Sequence, residues 1–305
     1  MSRTSYVSGA AYVLGEERKS YEQADGFAQA LEAMGMANFP ALWGWGHYHE
    51  TRDIYALAIQ AAQNALVASA VAPADIDLVV FAAAAFPENP NQLSSILGKA
   101  LQSMGCVNAL LEGSTLAGCA SLLAAVRLGA ARVGSGELNH VLVIGLGSMT
   151  PGIARFSSFA VFGDAACALV LGADPAKARY RVVDAIQKID LNELASGVSL
   201  DSKSMLQVET VDTLLERNQT SKSDVKKLFN NNVFLPVKKI KDARSGFKTA
   251  QLFTDNVARI GHCHACDSVI NLIDYRQNAA PANQELFLLQ SDGGGHSVCL
   301  LLAST

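Results

Sequence analysis

Short apolar runs of strand length alternate with longer helical patterns along this chain, and this alternation restricts the fold more than any other feature. The run at 76–84 (Ile-Asp-Leu-Val-Val-Phe-Ala-Ala-Ala) is typical of a buried strand. An Ala-rich helical pattern at 51–71 precedes it, and another helix is predicted at 91–104. Strands that alternate with helices build a mixed sheet with helices on its faces. We therefore predict an α/β fold.

The two halves of the chain repeat one order of elements. In the first half, Cys119 stands at the front of a helix, and the apolar strand 141–144 follows about 22 residues later. In the second half, His262 stands at the front of a helix, and the strand 286–289 follows about 24 residues later. Two such halves packed together bring both helix fronts to one seam, which is where clefts form in α/β architectures.

This repeat predicts where the chain divides. A length of 305 residues is enough for one large or two ordinary domains. We predict a first domain at 1–172, which carries Cys119. A second domain at 173–305 carries His262 and the Gly293–Gly295 turn.

Cys119 is the residue of the first half that is best suited to chemistry. Mostly small residues at 113–118 lead into it, and a helical pattern that ends at 134–136 follows it. Free backbone N–H groups and the helix dipole favour a thiolate at this position, and the thiolate is the nucleophilic form of cysteine. The position therefore predicts a nucleophile for covalent acyl transfer. A buried structural cysteine is the alternative.

Composition and charge exclude several classes of partner. The formal charge of −4 and the lack of a long Lys/Arg cluster argue against nucleic-acid binding. The longest apolar runs, such as 78–86, are too short to span a bilayer, and no N-terminal signal pattern is visible, so no membrane partner is predicted. Six cysteines without a secretion signal predict reduced thiols and a cytoplasmic protein.

Several motifs occur in the order and spacing of one enzyme family. They are Ala117-Gly-Cys-Ala-Ser-Leu, Ser135-Gly136, Leu142-Val-Ile-Gly145, Phe86-Pro87, Val161-Phe-Gly-Asp-Ala-Ala, Arg259-Ile-Gly-His and Gly293-Gly-Gly295. On these motifs the chain resembles the ketoacyl-ACP synthase III branch of the thiolase-like condensing enzymes, over roughly 50–175 and 205–305. The resemblance implies a thiolase-like fold of two related halves packed as α-β-α-β-α layers. It also implies a homodimer, or a heterodimer with a homologous subunit.

The same resemblance implies roles for individual residues. Cys119 is the nucleophile that accepts the acyl group, and its N–H and that of Gly294 form an oxyanion hole for the thioester oxygen. Phe86, contributed across a dimer interface, lines the acyl pocket, and Val237 and His296 are further candidates for substrate contact. The donor is an acyl carrier protein thioester or acyl-CoA, and no resident cofactor is expected.

Two positions depart from the family, which uses a Cys, a His and an Asn. The stretch Val233–Val237, predicted to be a short strand, places Val237 where the family has its His, and no histidine occurs between His140 and His262. His262 itself stands at the Asn position. Loss of one donor to a malonyl thioester oxygen costs about 3–4 kcal/mol in the transition state, so decarboxylative condensation is not expected. A Cys–His pair still supports thioester exchange, with His262 as the base.

The other histidines have simpler interpretations. The stretch 262–266 (His-Cys-His-Ala-Cys) has the residue types of a zinc site, and the remote His47 and His49 are the further candidate ligands. No second Cys-x-x-Cys pattern occurs, so no metal is predicted. We predict a hydrogen-bonded helix or turn role for both His264 and His296, and substrate contact is the alternative for His296. His47 and His49 are predicted to lie in a loop without chemistry.

Two functions remain open at this level. The first is an acyl-transferring enzyme that forms an acyl-Cys119 thioester in polyketide, fatty-acid-derived or other specialised metabolism, and then condenses, transfers or hydrolyses the acyl group. The second is a non-catalytic partner subunit that completes a condensing-enzyme heterodimer. The missing family His fits the second role, whereas the retained Cys119 argues against it.

Overall fold

The structure, a computed structural model, describes residues 3–86, 88–150, 152–196, 200–279 and 282–305, with the backbone alone at 196 and 200–204. The strands in these ranges are β1 Tyr6–Leu14, β2 Glu17–Ser20, β3 His47–Glu50, β4 Leu78–Ala83, β5 Leu110–Ser114, β6 His140–Gly147, β7 Ala165–Gly172, β8 Tyr180–Ile189, β9 Val225–Phe229, β10 Leu286–Gly293 and β11 His296–Ser304. The helices are α1 Phe27–Met34, α2 Pro40–Trp43, α3 Ile54–Ser69, α4 Pro90–Met104, α5 Ser121–Ser135, α6 Leu191–Ser196, α7 Leu200–Arg217, α8 Leu235–Arg244, α9 Asp255–Ile260 and α10 Asp267–Asn278.

Local sequence explains where the long helices of the first half begin and end. The side chain of Asp53 accepts hydrogen bonds from the first free N–H groups of α3, and that of Asn89 does the same for α4. Pro90 then occupies the first turn of α4, where its missing N–H costs nothing. Gly105 and Gly136 end α4 and α5 with positive φ angles of 78° and 81°, a conformation that favours glycine.

Nine strands form one continuous mixed sheet in the order β5-β4-β6-β7-β1-β8-β11-β10-β9. The first five strands of this order come from the N-terminal half and the last four from the C-terminal half. Only two residue pairs, Tyr6 with Arg181 and Val7 with Tyr180, join β1 to β8 at the boundary between the halves. The sheet is therefore two smaller sheets that meet along a short seam.

The two smaller sheets share one topology. In the first, β4 lies parallel to β6, and β6, β7 and β1 follow as antiparallel neighbours. In the second, β9 lies parallel to β10, and β10, β11 and β8 follow in the same antiparallel way. Helices α5 and α10 occupy equivalent places, each directly before the second strand of its series. The repeat of elements is thus present in the fold, and the division at residues 172 and 173 stays a prediction.

Helices cover and separate the two sheets in five layers. Helices α3 and α4 pack on the outer face of the first sheet, where they bury a core that includes Leu66, Leu97 and Ile144. Helix α7 covers the outer face of the second sheet through Val211 and Leu214. Between the sheets, α5 contacts strands of both halves, and α10 packs against β9, β10 and β1. The predicted α-β-α-β-α layering is confirmed.

The strand predicted at 233–237 is wrong, and the correction changes the element to which the candidate site residue Val237 belongs. The strand of this region is Val225–Phe229, whereas Leu235–Arg244 is a helix with Pro236 in its first turn, where proline favours a helix start. Val237 therefore belongs to α8 and packs with the aromatic cluster that contains Phe234. The residue that follows the strand is Asn230, and Val237 lies in a helix rather than at the end of a strand, where the resemblance places the family's His.

The segment with both tryptophans is also more regular than predicted. His47 and His49 lie in strand β3, which pairs with β2, and not in a loop. Nδ1 of His47 lies 3.0 Å from a guanidinium nitrogen of Arg18, and Nδ1 of His49 lies 2.8 Å from the carbonyl oxygen of Gly15. None of the described helices combines the length and apolarity needed to cross a bilayer.

Candidate active site

Cys119 sits in a tight turn that leads directly into α5. Residues Gly118–Ala120 form a single 3₁₀ turn, and Ser121 continues as the first residue of the helix. Gly118 has a φ of +55°, so the turn uses the left-handed conformation that glycine adopts most easily. The thiol is partly exposed, whereas the other five cysteines of the chain are buried. The predicted position at the front of a helix is therefore the position in the structure.

His262, from the C-terminal half, contacts the thiol of Cys119. Its Nε2 atom lies 3.4 Å from Sγ, within hydrogen-bond distance for sulfur. The imidazole is 1% exposed and packs against the ring of Phe162, with the ring centroids 5.1 Å apart. The pair predicted from the two helix fronts is thus brought into contact across the seam between the halves.

Asp267, which sequence reasoning missed, holds the other side of His262. The carboxylate is fully buried at the start of α10, and its Oδ2 atom pairs with Nδ1 of His262. Backbone N–H groups of Cys263 and Asn232 donate to the same carboxylate at 2.7 and 2.6 Å. Because Nδ1 faces the carboxylate, Nε2 is the nitrogen left to exchange a proton with the thiol. The arrangement has the Cys–His–acid order of an activated nucleophile.

The charges around His262 favour its protonated form. Burial alone would lower the pKa of His262, but the Asp267 carboxylate and the Cys119 sulfur outweigh burial and raise it to about 10. The imidazole therefore carries a proton at neutral pH. An imidazolium in contact with Sγ places a positive charge beside the sulfur that attacks a thioester.

His264, two residues further along, has a different environment. Its φ is +52°, and its ring stacks on Phe162 at 4.8 Å between centroids. Burial, and then the nearby His262, lower the pKa of His264 to about 3, so this ring stays neutral. The hydrogen-bonded role predicted for it is not found at Nε2, which is buried without a partner in the described part of the chain. Nor do those residues bring three or more His, Cys, Asp or Glu side chains into one metal-binding group.

The Gly293–Gly295 turn lies directly against the Cys119 turn. A Cβ atom added at Gly293 would stand 2.5 Å from the backbone nitrogen of Cys119, which is closer than such atoms approach in proteins. Gly294 has a φ of +53°, and a Cβ at this position would meet nothing within 4 Å. Ser291, on the strand that leads to the turn, reaches the carbonyl oxygen of Cys119 at 2.9 Å. The oxyanion-hole role of Gly294 remains a prediction that this proximity permits.

The remaining predicted site residues occupy other surroundings. Phe86 is partly buried with the α3–α4 core, and its ring lies 3.8 Å from where a Cβ of Gly113 would stand; its neighbour Pro87 lies outside the described residues. His296 begins β11, and Nε2 of Gln187 donates to its Nδ1 at 3.0 Å. The hydrogen-bonded turn role weighed for His296 therefore has a named partner. Substrate contact by Phe86, Val237 and His296 stays a prediction.

Solved structures with this fold include several enzymes of acyl chemistry. A structure described as the priming β-ketosynthase of a polyketide biosynthetic pathway superposes with a TM-score of 0.80 at 18% identity, over 99% of this chain and 97% of that one. The structure of ChlB3, described as an acyltransferase, gives 0.81 at 18% identity, over 99% and 98%. The 3-oxoacyl-[acyl-carrier-protein] synthase III of Aquifex aeolicus gives 0.78 at 16% identity, over 98% and 99%. At these identities the likeness establishes the fold.

Sequence comparison adds a similarity to one enzyme family over part of the chain. The profile of the 3-oxoacyl-[acyl-carrier-protein (ACP)] synthase III family matches residues 115–190, which include the Cys119 turn. The β-ketoacyl-[acyl-carrier-protein] synthase III of Rubrobacter xylanophilus is 33% identical over 124 residues, which are 40% of this chain. The segment that carries Cys119 is therefore similar to the ketoacyl-ACP synthase III family. The alignment spans only 38% of the length of the Rubrobacter relative, so the activity of this chain has to be argued from its own site.

Proposed function

We propose that this chain is an acyl-transferring enzyme that carries its acyl group as a thioester on Cys119. The observation that supports this most directly is the 3.4 Å contact of Sγ with Nε2 of His262, backed by Asp267. A thiol in this arrangement is activated for attack by the neighbouring imidazole. A structural cysteine needs neither a histidine base nor a carboxylate that orients this base.

In the first step of the proposed reaction, the Cys119 thiolate attacks the carbonyl carbon of an acyl thioester. The carbonyl oxygen takes up the negative charge, and the N–H groups of Cys119 and Gly294 are the proposed donors to it. The bond to the leaving sulfur then breaks, and His262 gives its proton to that sulfur. The products are acyl-Cys119, a free carrier thiol and a neutral His262.

In the second step, neutral His262 takes a proton from an alcohol, amine, thiol or water as this acceptor attacks the acyl carbon. The Cys119 thiolate leaves, and the imidazolium–thiolate pair is restored. Asp267 stays paired with Nδ1 of His262 and stabilises the imidazolium at the start and the end of the cycle. No net proton is gained or lost by the enzyme.

The same site is poorly equipped for decarboxylative condensation. Two donors are needed to hold the thioester oxygen of a malonyl group, and none of the residues 230–232 that follow strand β9 is a histidine. The side chain of Asn230 is buried and already occupied by Lys238 and Asp242. His262, paired with Asp267, is arranged to move a proton. We therefore propose transfer or hydrolysis of the acyl group, with an acyl carrier protein or coenzyme A as its donor, in polyketide or fatty-acid-derived metabolism.

Intact mass measurement with a panel of acyl-CoA and acyl-carrier thioesters tests this proposal. The expected result is a mass gain of one acyl group that is lost in Cys119→Ala and retained in Cys106→Ala, which removes a buried cysteine elsewhere. Adding alcohol, amine and thiol acceptors then identifies the second step by the loss of the acyl mass. No gain with any donor would favour a non-catalytic partner subunit, and carbon–carbon bond formation from a malonyl donor would overturn the assignment to transfer.

A further inference from the structure

Asn271 lies one helical turn beyond Asp267 on α10, and the spacing of four residues puts both side chains on the same face. The amide of Asn271 is fully buried. Its Nδ2 atom donates to the carbonyl oxygen of Asn230 at 2.9 Å and to Oδ1 of Asn232 at 3.0 Å. Both acceptors belong to the segment that follows strand β9.

That segment is the same one that holds Asp267. The backbone N–H of Asn232 donates to Oδ2 of Asp267 at 2.6 Å, and this is the oxygen that pairs with His262. Asp267 and Asn271 therefore hold residues 230–232 from one face of α10, one by accepting a hydrogen bond and the other by donating two. At the other end of the segment, the side chain of Asn230 is tied to α8 through Lys238.

A buried polar network fixes the orientation of Asn271. Its Oδ1 accepts from Nδ2 of Asn256 at 2.8 Å, so Nδ2 is the atom that faces residues 230–232. Asn256 is held in turn by Arg259, whose Nε donates to its Oδ1 at 2.7 Å, and by Asp274. Arg259 is the first residue of the Arg-Ile-Gly-His motif. The motif thus anchors the network as well as leading into His262.

We propose that Asn271 is a positioning residue for Cys119, His262 and Asp267. It holds residues 230–232 in place, so that the N–H of Asn232 keeps the Asp267 carboxylate aligned with Nδ1 of His262. The inference rests on the proposed function for its catalytic meaning. Its physical content, the stability of the imidazolium–thiolate pair, can be measured without a substrate.

Removal of the Asn271 amide is expected to loosen residues 230–232 and, through them, the Asp267 carboxylate. The carbonyl of Asn230 and Oδ1 of Asn232 lose their donor in a buried site, and unpaired buried acceptors favour a shift of the segment. The N–H of Asn232 then no longer fixes Oδ2 of Asp267. A less ordered carboxylate stabilises the imidazolium less, and the Cys119 thiolate loses part of the positive charge beside it. The groups that face His262 are Asp267, Cys119 and the neutral His264.

The test is the rate of alkylation of Cys119 by iodoacetamide between pH 4 and 10, followed by peptide mass. We expect the midpoint of the pH profile to rise by about one unit in Asn271→Ala, in the same direction as in Asp267→Asn. Leu272→Ala is the control, because it leaves a cavity in the core beside Asn271 and destabilises the fold without touching the network. Its melting temperature falls, and its alkylation profile stays that of the wild type.

An Asn271→Ala profile that coincides with the wild type, while the profile of Asp267→Asn moves, would overturn the positioning role. If Asn271→Ala does not fold, Asn232→Ala replaces it: this variant removes the Oδ1 acceptor, keeps the backbone N–H and is expected to give a smaller rise. Should no acyl donor label Cys119 while the profile of Asn271→Ala moves as expected, the proposed function fails and the positioning role stands. If a donor does acylate Cys119 but the pH profile of Asn271→Ala stays that of the wild type, the proposed function stands and the positioning role fails.

Discussion

At the scale of single residues, the proposed chemistry depends on one proton that His262 holds between Asp267 and Cys119. The imidazole is buried, and it is charged because a carboxylate and a sulfur flank its two nitrogens. A buried charge without partners costs several kcal/mol, so the three groups have to be considered as one unit. Changing any one of them alters the state of the other two.

This unit makes stability depend on pH in a predictable direction. The pKa of His262 is raised from 6.5 to about 10 in the folded protein, so folding binds the proton more tightly than the unfolded chain does. The stabilisation from this proton is fully present below pH 6.5 and is lost as the pH rises toward 10. The free energy of unfolding of wild type and His262→Gln is measured in urea from pH 6 to 10. As the pH rises, we expect the wild type to lose stability relative to the variant. A pH-independent difference would contradict the charged state of His262.

At the scale of elements, the approach of the Gly293–Gly295 turn to the Cys119 turn is the closest constraint in the site. Gly293→Ala places a Cβ 2.5 Å from the Cys119 nitrogen, so the two turns have to separate. We expect acylation of Cys119 to slow by about 10²–10³-fold, the usual effect of losing one oxyanion donor. Gly98→Ala is the matched control, because a Cβ there meets no atom within 4 Å, and alanine favours a helix. Equal acylation rates for the two variants would contradict a role for this turn.

The edge strand β5 is the element through which we expect a dimer to form. It ends the nine-stranded sheet, and Leu110 and Leu111 are exposed on it by 60% and 39%. An unprotected apolar edge of this kind is a template for pairing with another strand. We expect light scattering to find a dimer, and Leu110→Lys to shift it toward monomer. Val67→Lys, at a residue 84% exposed on α3, is expected to leave the mass unchanged, and a monomeric wild type would contradict this assignment.

Much of the fold and about half of the candidate site could be predicted from the sequence. Glycine-rich turns before helical patterns mark Cys119 and His262, because a reactive side chain at a helix front needs that local geometry. Asp267 gives no such signal, since an acidic residue in a first helical turn is common for reasons of the helix dipole alone. Strand β9 was missed because it is an edge strand with the two lysines Lys226 and Lys227, which obscure its buried positions.

At the scale of the whole molecule, the site exists because two related halves meet. Helices α5 and α10 occupy equivalent places in the two halves, and both lie in the layer between the sheets. Their fronts therefore come together, which brings a thiol from one half to an imidazole and a carboxylate from the other. Each half alone has an incomplete site, and the proposed chemistry takes place at the interface between them.

The most direct test of this account is the rate at which Cys119 becomes acylated. Wild type, His262→Ala and Asp267→Asn are mixed with a thioester donor at neutral pH, quenched in acid at successive times and mapped by peptide mass. The account predicts an acyl group on the peptide that contains Cys119, formed about 10²–10⁴-fold more slowly in both variants. An acyl group on another residue, or equal rates in all three proteins, would contradict it.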